Sequence, residues 1–171
     1  LLLFSAWADL NKAHDALAPK MRAAGVTVLK QDREDETARD RLAKEFKEDE
    51  HSVLFGTESF FEGVDIPGPS LQLVIIYKLP FPALHDATRG GQLDFKTEML
   101  PEMRKKLVQG SGRLIRDHND KGVVAVLDNR LYTASYGKII LANVEPFNRM
   151  TRLDSLEEAM EYLESLEVED A

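Results

Sequence analysis

Short, nearly continuous apolar runs alternate along the chain with longer stretches whose apolar residues recur every three or four positions. The short runs occupy residues 1–4, 26–29, 52–55, 71–77 and 123–127. They are rich in Leu, Val, Ile and Phe, the pattern of strands buried on both faces of a parallel sheet. The run at 71–77 is the most apolar and is expected to be a central strand. Between them lie helical stretches. One starts after Ser5, which stands where an N-cap belongs, and closes at Gly25. Pro19 is awkward inside it and suggests a new turn or a short second helix. Another covers 37–48, with Ala38, Leu42 and Phe46 on one face. Residues 95–100, 101–109 and 133–141 are also helical. A last helix is expected over 153–166, with Leu156, Met160 and Leu163 on one side. Residues 32–36 form a polar loop, and the segment 86–92, with Gly90-Gly91, is expected to be mobile.

Strands alternating with helices indicate an α/β fold with a mostly parallel sheet and helices on both faces. In such sheets ligands bind outside the carboxyl ends of the strands. That rule brings Ser5, Thr57 and the loop after Leu79 to one edge. No internal repeat and no low-complexity linker is visible.

A length of 171 residues suits one domain with a sizeable core. The chain has no cysteine, which excludes disulfides and thiolate metal sites within it and fits a reducing compartment. Four scattered histidines have no ligand spacing. No apolar run reaches membrane-spanning length and the start lacks a charged leader pattern, so no membrane partner is expected. The net charge of −8 argues against a globally basic nucleic-acid surface. A local contact strip remains compatible with it, because charges farther than ~10 Å are screened at moderate salt. Much of the acidic excess lies in the tail 157–170, which is expected to face solvent. The chain opens on Leu1-Leu2-Leu3-Phe4, like a strand cut from something longer, and is expected to be an excised domain.

The densest candidate chemistry is Gln109-Gly110-Ser111-Gly112-Arg113-Leu114-Ile115-Arg116. On a helix, Gln109, Arg113 and Arg116 would share a face. Two guanidiniums and an amide suit a polyphosphate, because Arg presents rigid N–H forks and keeps its charge. Gly110 and Gly112 leave room for close backbone approach. The plain alternative is a solvated basic turn paired with Asp117 and Asp120. An earlier stretch, Phe55-Gly56-Thr57-Glu58-Ser59-Phe60-Phe61-Glu62-Gly63-Val64-Asp65-Ile66-Pro67-Gly68, also follows a strand-like run. Glu62 and Asp65 stand three apart, so a helical turn would bring the carboxylates together. Otherwise Pro67-Gly68 simply turns the chain. Glu48-Asp49-Glu50-His51 imitates an Asp-Glu-x-His box. It precedes a strand instead of ending one, so it is solvated charge. No Gly-x-x-x-x-Gly-Lys-Ser/Thr occurs, and no Gly-x-Gly-x-x-Gly follows the first strand.

Gln-x-x-Gly-Arg-x-x-Arg and Glu-Gly-x-Asp, in this order among strand-like runs, resemble motifs VI and V of superfamily-two helicases. Lys78-Leu79-Pro80-Phe81-Pro82 is similar to the DinG branch of the XPD/DinG family. The resemblance runs from Leu1 to about Leu141. It implies a RecA-like, P-loop-NTPase-type three-layer fold, with residues 1–171 as the second, C-terminal motor domain of a larger helicase. It also implies that Arg116 is an arginine finger with Arg113 beside it, and that Gln109, Gly112, Glu62 and Asp65 lie at the nucleotide cleft. Thr57 and Ser59 would touch single-stranded DNA. Ser5 matches motif IV loosely, because Ser-Ala-Trp stands here where relatives often show Thr-Ser-Tyr. Ser5 as a plain cap and Trp7 as core filling are the competing assignments, and Lys78 is either a phosphate contact or a solvated strand end.

The resemblance further implies ATP and Mg²⁺ held mainly by a first RecA-like domain that supplies Walker A and Walker B. Without it the isolated chain would be inactive. Some members carry an iron–sulfur cluster, which would lie outside this chain. A bacterial cytoplasmic monomer that unwinds DNA 5′ to 3′ is the implied parent. Two other classes stay open: a Rossmann-like nucleotide-binding domain, and a non-catalytic module whose acidic last helix docks a partner.

Overall fold

A computed structural model of the chain describes residues 1–35, 38–61, 71–82, 85–86, 91–112, 114, 122–142, 158 and 161. In chain order the elements are β1 (Leu2–Leu3), α1 (Trp7–Ala23), β2 (Thr27–Lys30), α2 (Ala38–Glu48), β3 (Ser52–Gly56) and α3 (Glu58–Phe61). There follow β4 (Leu73–Ile76), β5 (His85–Asp86), β6 (Gly91–Gln92), a π-helical turn (Phe95–Met99), α4 (Leu100–Ser111), β7 (Val123–Val126), α5 (Arg130–Thr133) and α6 (Gly137–Leu141).

Five strands form one sheet in the order β2-β3-β1-β4-β7, and every pairing is parallel. Leu2 stands opposite Phe55 on one side and Ile75 on the other, which makes the short β1 the middle strand. The run at 71–77 is interior as its apolarity requires, but it lies between β1 and β7 and is not the centre.

Alternate residues feed two cores. Leu1, Leu3, Leu54, Val74 and Ile76 pack with Leu42 and Phe46 of α2, Phe60 of α3, Met103 and Leu107 of α4, Leu131 of α5 and Ile140 of α6. Phe4 and Phe55 turn the other way and pack with Leu10, Trp7 and Met21 of α1. This two-sided burial makes the sheet an α/β layer with helices on both faces.

Several local expectations change. Ser5 is not the cap of α1. Ala6 holds that position, with no side-chain cap bond, and Ser5 is exposed. Helix α1 runs unbroken through Pro19, which lies on the exposed face where water can serve the unpaired carbonyl. Gly25 closes it with a φ of 81°. Trp7 is partly buried and packs against Phe4, Leu10 and Phe55, the core-filling assignment.

The helix expected over 133–141 is two short helices. Ala134 is extended between them, and a Cβ on Gly137 would collide with the Leu131 carbonyl, so the turn folds back tightly there. The ends of segment 86–92 are tied as a two-stranded antiparallel ribbon, His85 opposite Gln92. Residues 87–90 lie outside the described residues, as do most of the final helix and tail. Of that tail, Glu158 and Glu161 are helical and exposed.

Candidate functional site

The carboxyl ends of the strands form one edge, and backbone bonds hold its pieces together. Phe4 donates to the Gly56 carbonyl (2.9 Å), Tyr77 to that of Leu3 (3.0 Å) and Gln31 to that of Phe55 (2.9 Å). Ser5, Gln31, Thr57, Lys78 and Asp128 therefore emerge side by side, as the strand-end rule anticipated. The short helix α3 follows β3 after one residue. Gly56 makes this possible: a Cβ there would fall 2.8 Å from the ring of the fully buried Phe60, so only glycine lets that ring lie on the strand end.

Within this edge the polar groups are paired. Thr57 is buried, 6% exposed, and gives both its N–H (2.7 Å) and its hydroxyl (2.9 Å) to Gln31 Oε1. Both donors of Thr57 are thus spent on Gln31, where the resemblance implied a contact to a nucleic-acid strand. Gln31 Nε2 donates to Ser59 Oγ at 2.8 Å. Ser59 is half-buried and Ser5 is open to solvent. Lys78 pairs with Asp9 of α1 at 2.8 Å, and its ammonium lies 5.2 Å from the Tyr77 ring centre. The bond to Asp9 raises the Lys78 pKa above its ordinary value.

Farther along, Asp128 accepts from the Leu79 N–H (2.9 Å) and from Arg130 Nη2 (2.6 Å) and Nε (2.9 Å). The Arg130 guanidinium, ahead of the cost of burial, holds the Asp128 carboxyl down to about 2. Arg130 also lies 5.4 Å from the Phe81 ring centre, and Phe81, Phe95 and Tyr136 form an aromatic cluster. Tyr77, Lys78, Leu127, Asp128, Asn129 and Arg130 line an open groove of about 650 Å³.

Gln109 and Gly112 are elsewhere. Helix α4 ends at Ser111, with Gly112 as its C-cap donating to the Val108 carbonyl at 2.8 Å. Leu114 then lies against Gly122, whose neighbour Val123 donates to the Gln72 carbonyl (2.9 Å). Gln72 and Gly122 precede β4 and β7, so the end of α4 sits at the amino edge of the sheet. A strand of four residues separates the two edges by roughly 15 Å, at ~3.3 Å per residue with its flanks. Among the described residues the candidates thus fall on two edges instead of one.

Helix α4 stops at Ser111, and the face that Gln109 was expected to share with Arg113 lies outside the described residues. Gln109 Oε1 is buried and has no hydrogen-bond partner among the described residues. Arg113, Arg116, Glu62 and Asp65 lie outside the described residues. Among the described residues no cluster of His, Cys, Asp or Glu could hold a metal ion, and no helix is long and apolar enough to cross a membrane. In the Glu48-Asp49-Glu50-His51 run, Glu48 ends α2 and the rest turns into β3, with Asp49 accepting from the His51 N–H at 2.9 Å.

Gln31, Asp128 and Arg130 escaped the motif search. Gln31 follows β2 directly and Asp128 follows the apolar run 123–127, so the strand-end rule that found Thr57 was a signal for those two, and Arg130 joins them through its bond to Asp128.

The family model described as a helicase C-terminal domain matches residues 1–147. An ATP-dependent helicase DinG of Mycobacterium tuberculosis is 42% identical over 132 residues, covering 71% of this chain and 20% of that protein. A 3′-5′ exonuclease DinG of Bacillus subtilis is 39% identical over 150 residues, 82% of this chain and 16% of that protein. An ATP-dependent DNA helicase DinG of Photobacterium profundum is 37% identical over 161 residues, 88% and 23%. The chain therefore spans about a fifth of the length of these relatives. With its parallel sheet and helices on both faces, it belongs to the helicase C-terminal domain family, of the DinG type.

Proposed function

We propose that this domain is the second motor lobe of an ATP-dependent DNA helicase. It would complete an ATP site whose other half lies on a first RecA-like domain. The observation that carries the proposal is Gln109 Oε1. A buried amide oxygen without a donor costs free energy, on the order of 1–3 kcal/mol. It stands at the end of α4, directly ahead of Arg113 and Arg116 in the chain. An acceptor kept open there suits an incoming N–H or a water ordered for attack on a phosphoryl group. Arg116 would neutralise charge that develops on the γ-phosphate, with Arg113 beside it and Glu62, Asp65 and Gly112 around the same cleft. Such a finger is worth ~10³–10⁵ in rate in related phosphoryl transfers. Mg²⁺, held mainly by the first lobe, would supply charge neutralisation on the phosphates.

The opposite edge would hold single-stranded DNA. Ser5 is exposed, Ser59 is half-buried, and Lys78 brings a cation whose charge Asp9 balances. Contacts of this kind position a strand without reading its sequence. Closure of two lobes over ATP would move this edge along the strand, in the 5′-to-3′ sense that the family implies. A monomeric bacterial enzyme of the cytoplasm is the setting, with any iron–sulfur cluster outside this chain.

The test is Arg116→Ala in a full-length protein carrying this domain. DNA-stimulated ATP hydrolysis falls by about 10³, while ATP affinity stays close to that of the parent. Unchanged turnover refutes the finger. The isolated domain hydrolyses no ATP, and turnover by a clean preparation refutes the shared site.

A further inference from the structure

Gln31 follows β2, and its N–H is bonded to the Phe55 carbonyl, so its side chain is carried to a fixed place beside the end of β3. There its amide meets a single turn of chain at both ends. One end takes the Thr57 N–H (2.7 Å) and the Thr57 hydroxyl (2.9 Å), and the other lies 2.8 Å from Ser59 Oγ.

The shape of an amide does not distinguish its oxygen from its nitrogen, but its partners do. A backbone N–H can only donate, so the atom facing Thr57 is the oxygen. The atom facing Ser59 is then the NH₂, which also can only donate. Ser59 Oγ is therefore the acceptor in that contact. A hydroxyl has one proton to give, and it is not given to Gln31. Among the described residues no acceptor takes it. Ser59 is half-buried at the carboxyl edge.

We infer that Gln31 is a positioning residue that sets the polarity of Ser59, so that the serine proton faces outward as a donor to a phosphate oxygen of single-stranded nucleic acid. This rests on the proposed function of that edge. Thr57 anchors the other end of the amide and makes no contact of its own. The relay runs one way: Thr57 donates to Gln31, Gln31 donates to Ser59, and Ser59 donates to the strand.

The polarity can be inverted with almost no change of shape. In Gln31→Glu the carboxylate still accepts from Thr57, but it cannot donate to Ser59. Ser59 then turns its proton inward and shows lone pairs, and a negative charge, to the phosphate. The experiment measures the Kd of a fluorescein-labelled single-stranded oligonucleotide by anisotropy on the full-length protein, beside thermal unfolding and ATP binding without DNA. Ser59→Ala is expected to weaken DNA binding about tenfold, the worth of one hydrogen bond to a charged group. Gln31→Glu is expected to weaken it at least as much, with melting temperature and ATP affinity retained. Adding Ser59→Ala to Gln31→Glu is expected to cost nothing further, because the two residues act as one unit. If Gln31→Glu loses its cooperative melting transition, Gln31→Asn is used. It keeps the amide but draws it back by one methylene, and its Kd is expected to move toward that of Ser59→Ala.

Wild-type Kd in the folded Gln31 variant, with Ser59→Ala weakened, overturns the positioning role and leaves the motor assignment standing. A lower melting temperature in the Gln31 variants with Ser59→Ala binding normally also overturns it, and Gln31 is then structural only. Failure of the unsubstituted full-length protein to bind the oligonucleotide overturns the assignment of the edge itself.

Discussion

The two edges of the sheet differ in how their polar groups are satisfied. At the carboxyl edge they come in internal pairs: Thr57 with Gln31, Lys78 with Asp9, and Arg130 with Asp128. At the amino edge, Gln109 Oε1 at the end of α4 is buried without a partner among the described residues. An edge made of balanced pairs is preorganised yet carries little net charge, which suits a backbone that must be gripped and released. An edge that leaves an acceptor open among the described residues has room for a donor, whether a water or an N–H brought by a ligand or a second lobe. On the function proposed above, binding and turnover would use separate surfaces roughly 15 Å apart, the length of a four-residue strand with its flanks.

Substitutions that act on one edge alone break or sharpen this contrast. The largest effect is expected at the amino edge. Gln109→Leu, in the full-length protein, lowers DNA-stimulated ATP turnover about a hundredfold, on the scale of losing one positioned polar group in a site. Its DNA affinity without nucleotide is unchanged. A loss confined to DNA affinity would merge the two edges into one.

Next comes the seat of the carboxyl edge. Phe60→Ala removes a fully buried ring that lies on Gly56 beneath the Thr57 turn. It is expected to cost ~3–5 kcal/mol in urea unfolding of the domain. A cost below 1 kcal/mol would mean that the turn stands without it.

Asp128→Asn is expected to cost about 1–3 kcal/mol, because Arg130 loses its charged partner while the Leu79 N–H keeps an acceptor. Its pH dependence follows from the depressed native pKa of Asp128. The contribution of the carboxylate is fully present above its unfolded value of ~3.9 and is lost as pH falls toward about 2. Wild type and Asp128→Asn should thus differ most above pH ~4 and converge as the pH is lowered through that window. Parallel unfolding curves across it would deny the pair its role.

The smallest effect is expected from Asp9→Ala. It frees the charge of Lys78 and tightens single-stranded DNA binding about threefold at low salt, because an exposed pair is weak and screened by salt. Weaker binding would show that Asp9 serves to aim the lysine and not to balance it.

Much of the fold was legible because the two periods are local. Continuous apolar runs announced all five strands of the main sheet, and the spacing of Leu42 and Phe46 announced the buried face of α2. Strand order was not legible. The two-residue β1 is the middle strand only because Leu2 finds Phe55 and Ile75 on its two sides, and those partners are 53 and 73 positions away. The break at Ala134 and the continuity of α1 through Pro19 were decided by packing against Leu131 and by exposure to water.

The site divides in the same way. Residue types and spacing identified the stretches ending in Arg116 and Asp65 as candidate chemistry, because guanidinium and carboxylate character belong to the side chain itself. The strand-end rule pointed to Thr57 and the family resemblance to Thr57 and Ser59, without indicating that Thr57 spends its donors inward. That depended on Gln31, 26 residues earlier, which the sheet brings within 2.7 Å.

By itself the sequence determined the class of fold, the family and the chemical kinds of the candidate groups, since propensity, burial pattern and charge are written residue by residue. Only the tertiary structure decided which groups meet, which edge each occupies and which is left unpaired. A hydrogen bond depends on position in space, and in a parallel sheet neighbours in space are far apart in the chain.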